Sequence, residues 1–178
     1  MDLHQMAKLS RQAAWVLAAT DANARNAALL AMADALEKHK AAIFAANEQD
    51  VEDAKRDALA APLLGRLRFG EEKLRQVTEG LHALAKLPDP IGQTTLCREI
   101  TPGLKLYRVT CPIGVIGVIF ESRPDALVQI ASLALKSGNA VLLKGGREAL
   151  RTNRALCDAL REAAEASGLP ADFAQLME

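Results

Sequence analysis

The chain has 178 residues, and its 22 basic and 22 acidic residues balance to a formal net charge of zero. Aromatic residues make up only 3% of the sequence, so neither a basic patch nor stacking side chains indicate nucleic-acid binding. No apolar run is long enough to cross a bilayer, and the amino terminus has the mixed polarity of a helix rather than of a signal peptide. We therefore expect a cytoplasmic protein without nucleic-acid or membrane partners.

The amino-terminal region is rich in alanine and predicts helices. Apolar residues recur at helical spacing from Met6 to Leu17 and again from Leu29 to Leu36, with Thr20 and Asp21 as capping residues between the two stripes. The spacing is typical of helices that pack through one face, so these residues are interpreted as core rather than as a binding site.

Two further helices are expected before the first proline-rich segment. One is expected around residues 43–51, with a break near Asn47, and the charged run from Glu48 to Arg56 is interpreted as a solvated face. The other carries apolar residues from Leu74 to Leu84 and ends before the segment 87–90, which is the best internal boundary of the chain.

A β-hairpin is predicted next. Residues 94–100 and 104–110 read as strands on either side of the turn 101–103. Such a hairpin could be a short solvated element or could pair with strands from elsewhere, because an isolated hairpin is only marginally stable.

The stretch from Val109 to Asn153 predicts a parallel β-α-β unit. Residues 113–120 are almost unbroken branched apolar residues, which favours a central strand buried on both faces. Pro124 suits the first turn of a helix that stops at Gly138, and residues 139–143 read as the second strand. Because the crossover is expected to be right-handed, both strand ends should open at the sheet edge where α/β proteins bind ligands.

The polar residues at these strand ends are the candidate binding residues. Lys144 would emerge at the carboxyl end of its strand, where an ammonium group can hold a phosphate or a ribose hydroxyl. Gly145 and Gly146 would let a ligand approach the backbone, and Arg147 adds a second cation before a long helix over residues 148–166. The alternative is that Lys144 and Arg147 are solvated charges beside a tight turn.

Known nucleotide-binding loops are absent from this stretch. Gly114 and Gly117 lie inside the first strand, so they do not form a dinucleotide-binding turn, and residues 138–144 do not form a P-loop. The three histidines are far apart and lack the spacing of a metal site, so no metal is expected. Any nucleotide must therefore be held in another way.

The blocks CPIGVIGVIFESRPDALVQIASLALKSGNAVLLKGG and REALRTN, together with ANEQDVEDAK and RLRFGEEKLRQVTEGLHALAKLPDPIG, closely resemble γ-glutamyl phosphate reductases. They also resemble the matching half of bifunctional pyrroline-5-carboxylate synthase, in the aldehyde dehydrogenase superfamily. The resemblance implies an α/β fold with a helical opening (1–90), a hairpin of an oligomerisation arm (91–111) and the first part of an incomplete, Rossmann-like NADP-binding sheet (112–178). It covers essentially the whole chain, so this chain looks like the amino-terminal part of such an enzyme.

The resemblance also implies NADPH as cofactor and γ-glutamyl phosphate as substrate. Lys144 matches the superfamily position that reaches the adenosine ribose, and the Arg147 cation suits a 2′-phosphate. Ser122 matches the position of an oxyanion-donating asparagine and is treated as lining the site. Arg123 is a local candidate for the substrate. The implied cofactor-binding residues are Phe120, Glu121, Ser122, Lys144, Gly145, Gly146 and Arg147. The resemblance also implies glutamate 5-kinase as a partner and a homo-oligomer for the complete protein.

No catalytic residue is assigned within the chain. The family mechanism uses a cysteine thiolate, and neither Cys97, Cys111 nor Cys157 has the flanking sequence of that nucleophile. The three thiols are interpreted as small apolar fillers in a reducing cytosol. We expect this chain to be inactive in isolation, as the cofactor-binding part of a dehydrogenase. The alternative is a non-catalytic nucleotide-binding or oligomerisation module.

Overall fold

The structure, a computed structural model, describes residues 2–178, which form seven α-helices and five β-strands. The helices are α1 (Leu3–Ala19), α2 (Ala22–Lys38), α3 (Lys40–Arg56), α4 (Ala61–Leu67), α5 (Glu71–Lys86), α6 (Pro124–Lys136) and α7 (Leu150–Ala166). The strands are β1 (Thr94–Thr101), β2 (Leu104–Val109), β3 (Val115–Ile119), β4 (Ala140–Lys144) and β5 (Ala174–Leu176).

The apolar stripes of the amino-terminal region form helices α1 and α2, as predicted. Leu17 is fully buried, and so are Leu29 and Leu36 on the second helix. Asp21 caps α2, since its carboxylate accepts a hydrogen bond from the Ala24 amide at 2.9 Å. Within the described residues, no helix is both long enough and apolar enough to span a membrane.

Helix α3 is continuous, so the expected break near Asn47 is wrong. The Asn47 side chain accepts from the Phe69 amide at 2.8 Å and donates to the Leu67 carbonyl at 2.9 Å, and these tertiary contacts outweigh its weak helix propensity. The interpretation of residues 48–56 as a solvated face is also wrong in part, because Asp50 is buried.

Strands β3, β4 and β5 form one parallel sheet in that order, with α6 and α7 as the crossover helices. The expectation of a central first strand buried on both faces is wrong. Strand β3 lies at an edge and contains no fully buried residue, whereas β4 is central. An apolar sequence does not reveal how many strands flank a strand in the sheet. Ile119 of β3, for example, is apolar but 85% exposed.

Alternate residues of β4 contact different helical layers, as a pleated strand requires. Ala140 packs with Ala13 and Ala14 of α1, while Val141 and Leu143 enter the main core with α2, α5, α6 and α7. The sheet is therefore covered on both faces by helices, and residues from the amino-terminal helices and from the β-α-β unit share one core.

Strands β1 and β2 form the predicted antiparallel hairpin. Gly103 in the turn has φ +88°, a conformation that favours glycine. Every residue of both strands is exposed, including Leu106 and Tyr107. Within residues 2–178 the hairpin therefore stands on its own, with backbone pairing as its main support.

The connector between α5 and the hairpin is tied to the helices by buried charges. Arg25, whose side chain is 2% exposed, pairs with Asp89 at 2.7 Å. Lys136, at the end of α6, donates to the Leu87 carbonyl and to the Asn26 side chain, each at 2.7 Å. Burial lowers the pKa of Lys136, with Asp89 opposing that shift. These contacts fix the direction in which the hairpin leaves the body of the protein.

Candidate functional site

The structure brings the carboxyl ends of β3 and β4 together at one edge of the sheet. Ile119 is in register with Lys144, and the Phe120 amide donates to the Lys144 carbonyl at 3.0 Å. Phe120 and Ser122 therefore lie beside the Gly145–Gly146 turn, so most residues of the candidate site share one edge, as the parallel arrangement predicts.

Ser122 and Glu148 join the two strand ends. The buried Ser122 hydroxyl donates to the Glu148 carboxylate. A Cβ atom at Gly146 would lie 2.8 Å from Glu148 Oε2 and against the Ser122 hydroxyl, so a larger residue there would displace these two side chains. The Ser122 hydroxyl proton is therefore engaged in a hydrogen bond within the protein. Sequence reasoning missed Glu148, whose only local signal is an acid near a helix start.

Gly145 is enclosed by a second pair of side chains. A Cβ atom there would lie 2.5 Å from Asn153 Nδ2 and 3.0 Å from Phe120 Cζ. Asn153 is 1% exposed, and its Oδ1 atom has no hydrogen-bond partner within residues 2–178. The turn is packed from both sides, and Asn153 is a second residue that local sequence patterns did not single out.

Lys144 lines the larger of two recesses at this edge. Its side chain is partly buried, and Nζ donates to the Met177 carbonyl at 3.4 Å. The recess has a volume of about 740 Å³. It is lined by Leu3, Met6, Lys144, Arg161, Gln175, Leu176, Met177 and Glu178. Two cations, Lys144 and Arg161, therefore border one concave surface.

Arg147 is exposed and lines a separate recess of about 340 Å³ between α3 and the start of α7. The recess is lined by Asp50, Asp53, Ala54, Asp57, Arg147, Glu148 and Arg151. Arg151 pairs with Asp50 at 3.1 Å and with Asp53 at 2.8 Å, and these hydrogen bonds raise its pKa. Arg147 has no ion pair within residues 2–178. Lys144 and Arg147 thus flank the turn without sharing a recess.

The two remaining candidates, Glu121 and Arg123, are exposed and make ion pairs within the chain. Glu121 pairs with Arg66 at 2.9 Å, and Arg123 pairs with Asp125 at 2.9 Å. The Glu121–Arg66 pair is exposed on both sides, where such contacts are weak, whereas Arg123 pairs with a buried carboxylate. The structure places these side chains near the strand end but not inside either recess.

The three thiols lie in different environments. Cys157 is buried on α7, and burial raises the pKa of its thiol to about 12. Cys97 lies on β1 and Cys111 follows β2, and both are exposed. In the described part of the chain, no group of three histidine, cysteine or acidic residues is arranged to hold a metal ion.

Comparison with known proteins identifies close relatives over the full length of the chain. A γ-glutamyl phosphate reductase from Pelotomaculum thermopropionicum is 49% identical over all 178 residues, which make up 41% of that relative. A γ-glutamyl phosphate reductase from Acetivibrio thermocellus gives the same identity and coverage. The chain therefore spans about two fifths of the length of the curated relatives it matches. No protein-family model matches the chain.

Solved structures show the same relationship at the level of the fold. A γ-glutamyl phosphate reductase from Thermotoga maritima superimposes with a TM-score of 0.95 at 34% identity, covering 100% of this chain and 43% of that one. A methylmalonate-semialdehyde dehydrogenase from Oceanimonas doudoroffii gives a TM-score of 0.72 at 18% identity, covering 98% of this chain and 33% of that one. The fold is thus part of an aldehyde dehydrogenase-like α/β architecture, as expected from the sequence.

Proposed function

The chain is similar over its whole length to γ-glutamyl phosphate reductases, and on that premise we propose that it supplies the cofactor-binding part of such an enzyme. The reaction converts γ-glutamyl 5-phosphate, NADPH and a proton to glutamate 5-semialdehyde, phosphate and NADP⁺. This step belongs to proline biosynthesis. The observation that supports the proposal is the packed Gly145–Gly146 turn, which is flanked by Lys144 and Arg147 at the sheet edge.

The two cations at this edge, Lys144 and Arg147, are the basis for proposing a phosphorylated dinucleotide. Gly145 and Gly146 carry no side chains of their own, and on that ground we infer that a ligand can approach their backbone. Lys144 can donate to ribose or phosphate oxygens, and Arg147, which has no ion pair within residues 2–178, can bind a 2′-phosphate. The neighbouring backbone at Phe120 and the side chain of Glu121 complete the proposed cofactor contacts, with Arg123 toward the substrate.

When bound, the nicotinamide supplies the hydride that reduces the acyl group. The residues of this chain contribute binding and orientation. The Ser122 hydroxyl donates to Glu148, so we assign Ser122 to holding the turn in place rather than to stabilising an oxyanion. The Lys144 ammonium holds the nucleotide at the strand end, while the Arg147 guanidinium favours the phosphorylated ribose.

We place the cysteine nucleophile outside this chain. Burial keeps the Cys157 thiol protonated at neutral pH, and a protonated thiol is a poor nucleophile. Cys97 and Cys111 lie at the hairpin rather than at the sheet edge. We propose that γ-glutamyl phosphate is bound by this chain together with the part of the relatives' length that it does not span. We further propose that the assembly is a homo-oligomer and that glutamate 5-kinase supplies the substrate.

Fluorescence titration with NADPH tests the proposal. Lys144→Ala is expected to weaken NADPH binding about tenfold, because a charged hydrogen bond is lost. The matched control is Lys105→Ala, which removes the same charge from the exposed hairpin. Arg147→Glu is expected to shift the preference from NADPH toward NADH. Equal dissociation constants for Lys144→Ala and the unmodified protein would remove Lys144 from the site.

A further inference from the structure

The buried carboxylate of Asp50 holds the first turn of α7. The Thr152 amide and hydroxyl both donate to Asp50 Oδ2, at 2.8 Å and 2.7 Å. Thr152 is the third residue of α7, so its amide has no partner within the helix. Asp50 is 2% exposed. A protein carboxylate therefore already occupies the positive end of α7 that follows the Gly145–Gly146 turn.

Asp50 belongs to a buried polar network that reaches across three elements. Asn47, one helical turn before Asp50, donates to the Thr152 hydroxyl at 3.2 Å and also binds the segment between α4 and α5. Asp50 itself pairs with Arg151 at 3.1 Å. The network links α3 to the start of α7, whose preceding residues, Arg147 and Glu148, border the proposed nucleotide site.

We propose that Asp50 is a positioning residue for the nucleotide, an inference that rests on the proposed function. By binding Thr152 it fixes the turn that carries Arg147, and by pairing with Arg151 it leaves Arg147 as the cation available in this recess. The group that Arg147 meets is the 2′-phosphate on the ribose of the nucleotide. Asp50 touches neither that phosphate nor the reacting atoms, and it acts through Thr152 and Arg151.

Three variants separate positioning from charge. Asp50→Ala removes every hydrogen bond to Thr152, whereas Asp50→Asn keeps an oxygen that can accept from it. Asp57→Asn is the matched control, because Asp57 is exposed, lines the same recess and makes no side-chain hydrogen bond within residues 2–178. A purely electrostatic effect would appear in Asp57→Asn and Asp50→Asn alike.

Dissociation constants for NADPH and NADH are the first measurement. Asp50→Ala is expected to weaken NADPH binding about tenfold while changing NADH binding less than about twofold, because only NADPH carries the phosphate that Arg147 meets. Asp50→Asn is expected to retain most of the preference. A merely structural role would weaken both cofactors equally, and that result would overturn the proposal.

Hydrogen exchange of the free protein distinguishes failure of this inference from failure of the proposed function. Asp50→Ala is expected to accelerate exchange at the Thr152 amide and in residues 145–151, with Asp57→Asn unchanged. Unchanged exchange in Asp50→Ala would overturn the positioning role whether or not a nucleotide binds. An unmodified protein that binds neither cofactor would count against the proposed function instead.

Discussion

The turn after β4 and the β1–β2 hairpin are both short connections that contain glycine, yet their surroundings differ completely. Gly145 and Gly146 are enclosed by Phe120, Asn153 and Glu148, so a side chain at either position would have to displace these neighbours. Gly103 in the hairpin has open space around its Cβ position, and glycine is favoured there only because the backbone has a positive φ. One turn is therefore specified by tertiary contacts and the other by local backbone geometry.

Thiol accessibility is expected to show the largest difference between the two regions. Cys157 should react with a thiol reagent more than about a thousandfold more slowly than Cys97, because reaction requires opening of the core. Mass spectrometry of the labelled protein over time checks this order. Comparable rates for the two thiols would show that α7 is not stably packed.

The same thiol also predicts a dependence of stability on pH. Burial raises the pKa of Cys157 from 9.0 to about 12, so the folded state keeps a proton that the unfolded state loses. The contribution is fully present below pH 9 and is lost as pH rises toward about 12. Cys157→Ala should therefore show a weaker fall in the free energy of unfolding between these pH values, as measured by denaturant titration.

Replacement of the packed glycine is expected to have the next largest effect. Gly145→Val should lower the free energy of unfolding by about 3 kcal/mol, because its side chain would overlap Asn153 and Phe120. Gly117→Ala is the control, since its Cβ position on β3 is open and its φ is ordinary. Denaturant titration measures both, and similar losses for the two variants would contradict the packing argument.

The smallest effect is expected on the hairpin. Leu106→Ser should change the free energy of unfolding by less than about 0.5 kcal/mol, because Leu106 is 48% exposed. Leu29→Ala in the core is the comparison and should cost about 3 kcal/mol. A large loss for Leu106→Ser that grows with protein concentration would show that association covers the hairpin.

The sequence predicted those helices and strands whose ends carry a proline or a glycine. Pro124 and Gly138 delimit α6 and its stop, and the turn at Gly103 separates two strands, so these elements were predicted close to their observed bounds. The position of β3 at an edge of the sheet could not be predicted, because neighbours in a sheet are set by pairing across the chain. Helix α4 carries too short a pattern to be recognised.

The candidate site was only partly predictable for the same reason. Lys144 and the two glycines follow directly from an apolar strand, so their location at the sheet edge could be inferred. The contact between Ser122 and Glu148 joins residues 26 positions apart, and that between Thr152 and Asp50 joins residues 102 apart. No periodic pattern records such pairs, and the buried state of Asp50 contradicted the usual interpretation of a charged run.

The ion pair between Arg25 and Asp89 anchors the segment from which the hairpin leaves the helices. Any change in the angle of the hairpin would have to pull Asp89 from a cation that is shielded from water, which is costly. Lys136 holds the same connector and ends α6, the helix that begins beside Arg123. The segment from which the hairpin leaves and the carboxyl end of α6 therefore share one set of contacts.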